Sequence, residues 1–140
     1  MKDIEIAVEI LEKEQLTIAV VKDGKLIYSS KDKGIKPLYF VHKNNIDLKD
    51  SSVADRVTGK AAAMICTSAC IKELNTKVIS DNAIDILKET NIVYNYSVLT
   101  PYIKNRDKTG MCPIETLSLK AENINDLMTK IEEFLESLKK

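Results

Sequence analysis

The sequence predicts one α/β domain in which a mixed β-sheet is covered by helices. Three observations predict it. The hydrophobic period switches repeatedly between about 3.6 and 2 along the chain. An Asp-Gly pair, Asp23-Gly24, joins two strand-like runs. Later segments alternate strand and helix, the pattern of parallel crossovers. A chain of 140 residues suits a single domain spanning 1–140, able to bury a core without disulfide or metal.

The elements follow in order. Ile4, Ala7, Val8 and Leu11 share a helical face, so residues 3–14 read as an amphipathic helix. Residues 16–21 form a β-branched apolar run, and residues 26–29 a second strand after the Asp-Gly turn. Pro37 suits the first turn of a helix that extends to about Lys43. Residues 47–52 are polar and loop-like. From Val53 a long helix is expected to about Ala69, rich in small residues: Ala54, Gly59, Ala61, Ala62 and Ala63. Residues 74–79 read as a strand, Ser80-Asp81-Asn82 as helix caps, and residues 83–90 as the helix they start. Ile92, Tyr94, Tyr96 and Val98 alternate as in a strand. Residues 100–115 are the least regular, with Pro113 placed to start another helix. Ile124, Leu127, Met128, Ile131, Phe134, Leu135 and Leu138 form the stripe of a final helix. Tyr94, Tyr96 and Tyr102 are expected in the sheet and core. The C-terminal stripe is expected on its own domain, or alternatively at a dimer interface.

Composition excludes several function classes. Basic and acidic residues balance at 21 each, so nothing pulls the chain in bulk toward nucleic acid or anionic membranes. The first fifteen residues are charged throughout and resemble no secretory signal, and no apolar run approaches the roughly 20 residues of a membrane span. A cytoplasmic location is expected. Cys66, Cys70 and Cys112 are then expected as free thiols.

Two stretches carry a resemblance: Ser52-Val53-Ala54-Asp55-Arg56-Val57-Thr58-Gly59-Lys60-Ala61-Ala62-Ala63, and Pro101-Tyr102-Ile103-Lys104-Asn105-Arg106 continued by Thr109-Gly110-Met111-Cys112-Pro113-Ile114-Glu115. Through them, over residues 3–119, the chain resembles an uncharacterised bacterial and archaeal family with a cytidine-deaminase-like fold. The resemblance implies a three-layer sandwich, with a mixed sheet and helices on both faces, and frequent self-association. Zinc deaminases carry H-x-E at one helix start and P-C-x-x-C at the next. The corresponding segments here are Thr58-Gly59-Lys60 and Ser80-Asp81-Asn82-Ala83-Ile84, without zinc ligands or proton-shuttling glutamate. Zinc-dependent deamination is therefore not expected, and no cofactor is called for. Cys66 and Cys70, four apart on the expected helix, lack the usual knuckle spacing and read as buried thiols.

Candidate site residues come from residue chemistry. Arg56 and Arg106 are the only arginines among 21 basic residues, and both fall in the family-like stretches. A guanidinium fork binds phosphate or carboxylate in a way lysine cannot copy. The competing reading is internal pairing with nearby acids. Asp55, Arg56, Thr58, Gly59 and Lys60, near an expected helix start, are candidate anion-binding residues; a solvated Lys60 and a packing Gly59 are the alternative. Ser80, Asp81 and Asn82 either line the same pocket or only cap a helix. Asn105 and Arg106 lie in a polar loop that either closes over a ligand or simply connects elements. Cys112 before Pro113 is a candidate nucleophile with His42 as its one possible imidazole partner; an inert thiol is the alternative. The leading expectation is a small anionic, nucleotide-like ligand in the pocket. A metal-independent enzyme using Asp55 or Cys112, with Lys60 or Arg106 holding charge, and a protein-interaction module are the other two readings.

Overall fold

Side chains that point alternately to two buried clusters along the first strand sort the molecule into layers. In a computed structural model that describes residues 1–139, β1 (Ile18–Lys22) sends Ile18 and Val20 into one apolar cluster and Ala19 and Val21 into another. Successive side chains of a strand point to opposite faces, so both faces of the sheet are covered. The Asp23-Gly24 turn joins β1 to β2 (Lys25–Ser30), with φ of 52° and 78° at the two residues. Positive φ at both positions is what a two-residue hairpin turn of matching twist requires. The Asp3 carboxylate accepts hydrogen bonds from both turn amides, which fastens the first helix to the hairpin.

Three parallel strands complete the sheet: β3 (Ser52–Thr58), β4 (Glu73–Ser80) and β5 (Val93–Thr100). The order is β2-β1-β3-β4-β5, with β1 antiparallel to both neighbours. On one face lies α1 (Asp3–Lys13), whose Ala7 and Leu11 pack on Ala19, Val21 and Ala54. Alanine on both sides of this contact lets the helix approach the sheet closely. On the other face lie α2 (Lys36–Lys43), α3 (Lys60–Ser68) and α4 (Asp81–Leu87), with α5 (Pro113–Leu119) and α6 (Ile124–Ser137) packed on α3. Leu127 and Ile131 of the C-terminal stripe are fully buried in this layer. The result is a three-layer α/β sandwich with an open mixed sheet.

One expected element is corrected. The long helix from Val53 is two elements, β3 and α3, separated by Gly59 in extended conformation. Val53 and Ala54 are both completely buried, in opposite clusters. A strand buried on two faces has no polar alternation, and its small residues read as a continuation of the Ala-rich helix. A second consequence concerns the thiols: α3 ends before Cys70, which is exposed with φ of 57°, whereas Cys66 is buried, so the two share no helical face. Tyr96 is also not a core residue; it is 44% exposed on the edge strand.

Candidate functional site

The carboxyl end of β3, the start of α3 and the segment that leads into α5 enclose a cleft of about 380 Å³. Ile18, Ile35, Leu38, Ala61, Ala62, Ile103 and Ile114 give it mainly apolar walls. Its polar lining includes Asp55, Arg56, Lys60, Cys112 and Glu115. Volumes of roughly 300–1,000 Å³, apolar walls and a few convergent polar groups are typical of small-molecule sites.

Asp55 has the most unusual environment. Its Oδ1 accepts the Arg56 amide at 2.9 Å, and its Oδ2 lies 3.0 Å from Thr58 Oγ1. Thr58 Oγ1 lies 3.0 Å from Thr76 Oγ1, which lies 3.2 Å from the Val78 carbonyl oxygen. Each hydroxyl has one proton to donate. An ionised Asp55 takes the Thr58 proton, so Thr76 must then choose between Thr58 and Val78. A neutral Asp55 donates to Thr58, Thr58 to Thr76 and Thr76 to Val78, and every contact is satisfied. No cation pairs with Asp55 among the described residues. Burial outweighs the hydrogen bonds from Thr58 and the backbone and pushes its pKa from 3.8 up to about 7.

Glu115, which reading of the sequence did not single out, closes the far wall. It stands at the third position of α5, where a glutamate ordinarily caps its own helix in solvent. Here it is 2% exposed. Its Oε1 accepts the Lys60 amide at 2.8 Å and the Ser80 hydroxyl at 3.3 Å, and its Oε2 accepts the Ile103 amide at 2.6 Å. One carboxylate thus joins the start of α3, the N-cap of α4 and the chain beyond β5. Gly59 makes room for it: a Cβ there would lie 3.0 Å from Glu115 Oε1 and 3.0 Å from Ile103 Cγ1. The signal was present in the sequence only as one acidic residue after Cys112-Pro113.

The remaining candidates divide. Arg56 borders the cleft, but its guanidinium is committed: Nε donates to the Leu16 carbonyl at 2.9 Å, Nη2 to the Leu11 carbonyl at 3.0 Å and Nη1 to Glu12 Oε1 at 3.2 Å. It ties α1 to β3. Lys77 also reaches Glu12, and Lys77 first and Arg56 second hold that carboxylate below its ordinary pKa. Arg106 is exposed on the 105–110 loop, which Asn105 closes on itself through Thr109, and neither residue lines the cleft. The two arginines therefore do not converge. Thr58 is buried under Asp55, and Ser80 is a buried cap that accepts the Ala83 amide at 3.2 Å. Asp81 and Asn82 lie on α4 outside the cleft lining. Cys112 lines the cleft as the N-cap residue of α5, whereas His42 on α2 does not line it. Burial first, and then the nearby Asp55 charge, push the Cys66 thiol well above its ordinary pKa.

The two helix starts do not fit zinc. Their groups are amides and the Ser80 hydroxyl, and the one carboxylate between them is occupied by three hydrogen-bond donors. No group of three His, Cys, Asp or Glu side chains is disposed for a metal among the described residues. No helix among the described residues is long and apolar enough to cross a membrane.

Fold and site together define an open-sheet α/β domain with a partly apolar cleft built around a buried carboxyl. The chain belongs to the DUF1893 family, a domain of unknown function whose model matches residues 6–135. It is similar to the crystal structure of a DUF1893 family protein, TM1506, from Thermotoga maritima, with 29% identity and a TM-score of 0.85 over 95% of this chain and 90% of that one. A second solved structure is a diaminohydroxyphosphoribosylaminopyrimidine deaminase/5-amino-6-(5-phosphoribosylamino)uracil reductase from Thermotoga maritima. It matches with 15% identity and a TM-score of 0.46, over 68% of this chain and 35% of that one. No curated protein matches the chain.

Proposed function

We propose that this protein is a zinc-free, deaminase-like domain that binds a small organic anion, of nucleotide or aromatic-acid size, in the cleft beside Asp55. The observation that carries the reading is an imbalance of charge. Lys33 and Lys60 line the cleft without a carboxylate partner among the described residues, while Glu115 is used up by amides and Asp55 is placed to be neutral. An anionic group meets an ammonium there and no opposing carboxylate charge, and the ligand's apolar body meets Ile18, Leu38, Ile103 and Ile114. Thr58-Gly59-Lys60 and Ser80-Asp81-Asn82 each lie at a strand-to-helix junction, the setting in which a zinc deaminase carries its ligands.

The test is thermal unfolding with a panel of nucleoside monophosphates and small aromatic carboxylates. A ligand at one hundred times its Kd adds about 2.7 kcal/mol of stability, a rise of roughly 10 °C for a chain of this size. Lys60→Ala should abolish the rise and Lys108→Ala, on the exposed loop, should keep it. The rise should be larger at pH 6 than at pH 8, because a protonated Asp55 sets no negative charge against the anion. No shift with any compound, or equal effects of the two lysine variants, overturns the reading.

A second reading has its own observation. A carboxyl with a pKa of about 7 at the floor of a cleft is suited to general acid–base catalysis without a metal. Asp55 is then the carrier rather than Cys112, which has no imidazole beside it in the cleft lining. Turnover of a bound compound that is lost in Asp55→Asn and kept in Cys112→Ala would select this reading.

A further inference from the structure

We infer that β5 is a homodimerisation edge, and that it pairs antiparallel with β5 of a second copy of this chain. The two edges of the sheet are built differently. β2 carries Lys25, runs into Lys31 and Lys33, and is offset from β1 by a register shift at Val20/Val21. Charges and bulges of this kind keep an edge from pairing with other chains. β5 has none of them. Its eight residues, Val-Tyr-Asn-Tyr-Ser-Val-Leu-Thr, include no charge and no proline. Its pairing with β4 stays in register from Val93 to Thr100. It packs chiefly on β4 and α4, and among the described residues no strand pairs with its outer edge.

The side chains of β5 are as open as its backbone. Val93 is 55% exposed, Tyr96 44%, Val98 54% and Leu99 48%. These positions have both parities, so the strand is bare on both sides of the sheet. Their exposed parts come to roughly 350 Å² of mainly apolar surface, the scale at which exposed patches mark interaction sites. Doubled about a twofold axis, these side chains supply up to about 700 Å², to which the peptide edges and Asn95 and Ser97 add, on the way to the roughly 1,200 Å² of the smallest specific interfaces.

A second copy is the occupant that fits. An isologous interface needs one patch complementary to itself. An uncharged strand meets its own copy without opposing like charges and without burying an unpaired charge. Antiparallel pairing of identical strands satisfies the outer peptide groups of both and extends the sheet from five strands to ten. This inference does not rest on the cleft's ligand, and its test is independent of it.

The experiment is sedimentation velocity on the full chain from about 1 to 100 μM. The wild type is expected to dimerise within that range. Val98→Lys should be monomeric at every concentration, because a lysine on an edge strand disfavours its pairing with another chain. Ile27→Lys, on the other edge, should dimerise like the wild type. Hydrogen exchange of the wild type provides a second measurement free of any folding defect in a variant. Amides of residues 93–100 should be protected more at 100 μM than at 1 μM. A monomeric wild type at 100 μM, a dimer that survives Val98→Lys, or exchange in β5 that is independent of concentration overturns the inference.

Discussion

Replacing Asp55 by Asn removes a titration while keeping the shape of the group. The Asn carbonyl accepts the Arg56 amide as Oδ1 does, and its amide donates to Thr58 as the neutral carboxyl does. The chain through Thr76 to Val78 is therefore preserved. In the wild type the carboxyl has a pKa of about 7 when folded and 3.8 as its ordinary value. Between those values the folded state holds a proton that the unfolded chain has released, so this group lowers stability as pH rises and levels off above about 7. At about 1.36 kcal/mol for each tenfold change in proton affinity, the upper value is about 4 kcal/mol. The cleft side of the carboxyl is open to water, which screens the charge, so a difference of about 2–4 kcal/mol is expected. Urea unfolding of both proteins at pH 4.5, 6, 7 and 8 measures it. Asp55→Asn should exceed the wild type by only about 1 kcal/mol at pH 4.5 and by progressively more to pH 8, with equal m-values. A difference that does not change with pH, or one that favours the wild type more as pH rises, would refute the assignment of a neutral carboxyl.

Substitutions at two further positions test how the cleft is held. Glu115→Gln keeps one acceptor oxygen where the carboxylate has two, which leaves either the Ile103 amide or the Lys60 amide facing a donor. A loss of about 2 kcal/mol is expected, and a larger loss of about 4 kcal/mol for Glu115→Ala, which strands all three donors; the midpoint of chemical unfolding reads both. Arg56→Lys replaces three directed donors with one ammonium and leaves the Leu16 carbonyl without its partner. It should cost about 2 kcal/mol and speed amide exchange in α1, without changing ligand affinity at constant folded fraction. If Arg56→Lys instead leaves stability intact and lowers ligand affinity, the guanidinium belongs to the ligand and not to α1.

Patterns written within a few residues of each other were readable without the structure. The Asp23-Gly24 hairpin, the α1 stripe of Ile4, Ala7 and Leu11, and the Pro113 start of α5 depend on local conformational preference and on which residues recur on one face. So did the composition of the site segment: Asp55, Gly59, Lys60 and Cys112 do share one cleft.

What the tertiary structure decided are matters of burial and of partners far apart in sequence. Val53 and Ala54 became a strand because both faces of β3 are covered, and nothing local to them distinguishes that from a helix rich in alanine. Arg56 and Arg106 had equal standing as sequence, yet one is consumed by carbonyls about 40 residues upstream and the other stands in solvent. Glu115 looks like an ordinary first-turn glutamate until the Lys60 and Ser80 helix starts are brought to it. Sequence fixes which donors, acceptors and apolar faces exist. Which of them lose water, and therefore which carboxyl is neutral, which cation is spent and which strand is left bare, depends on contacts that only the folded chain assembles.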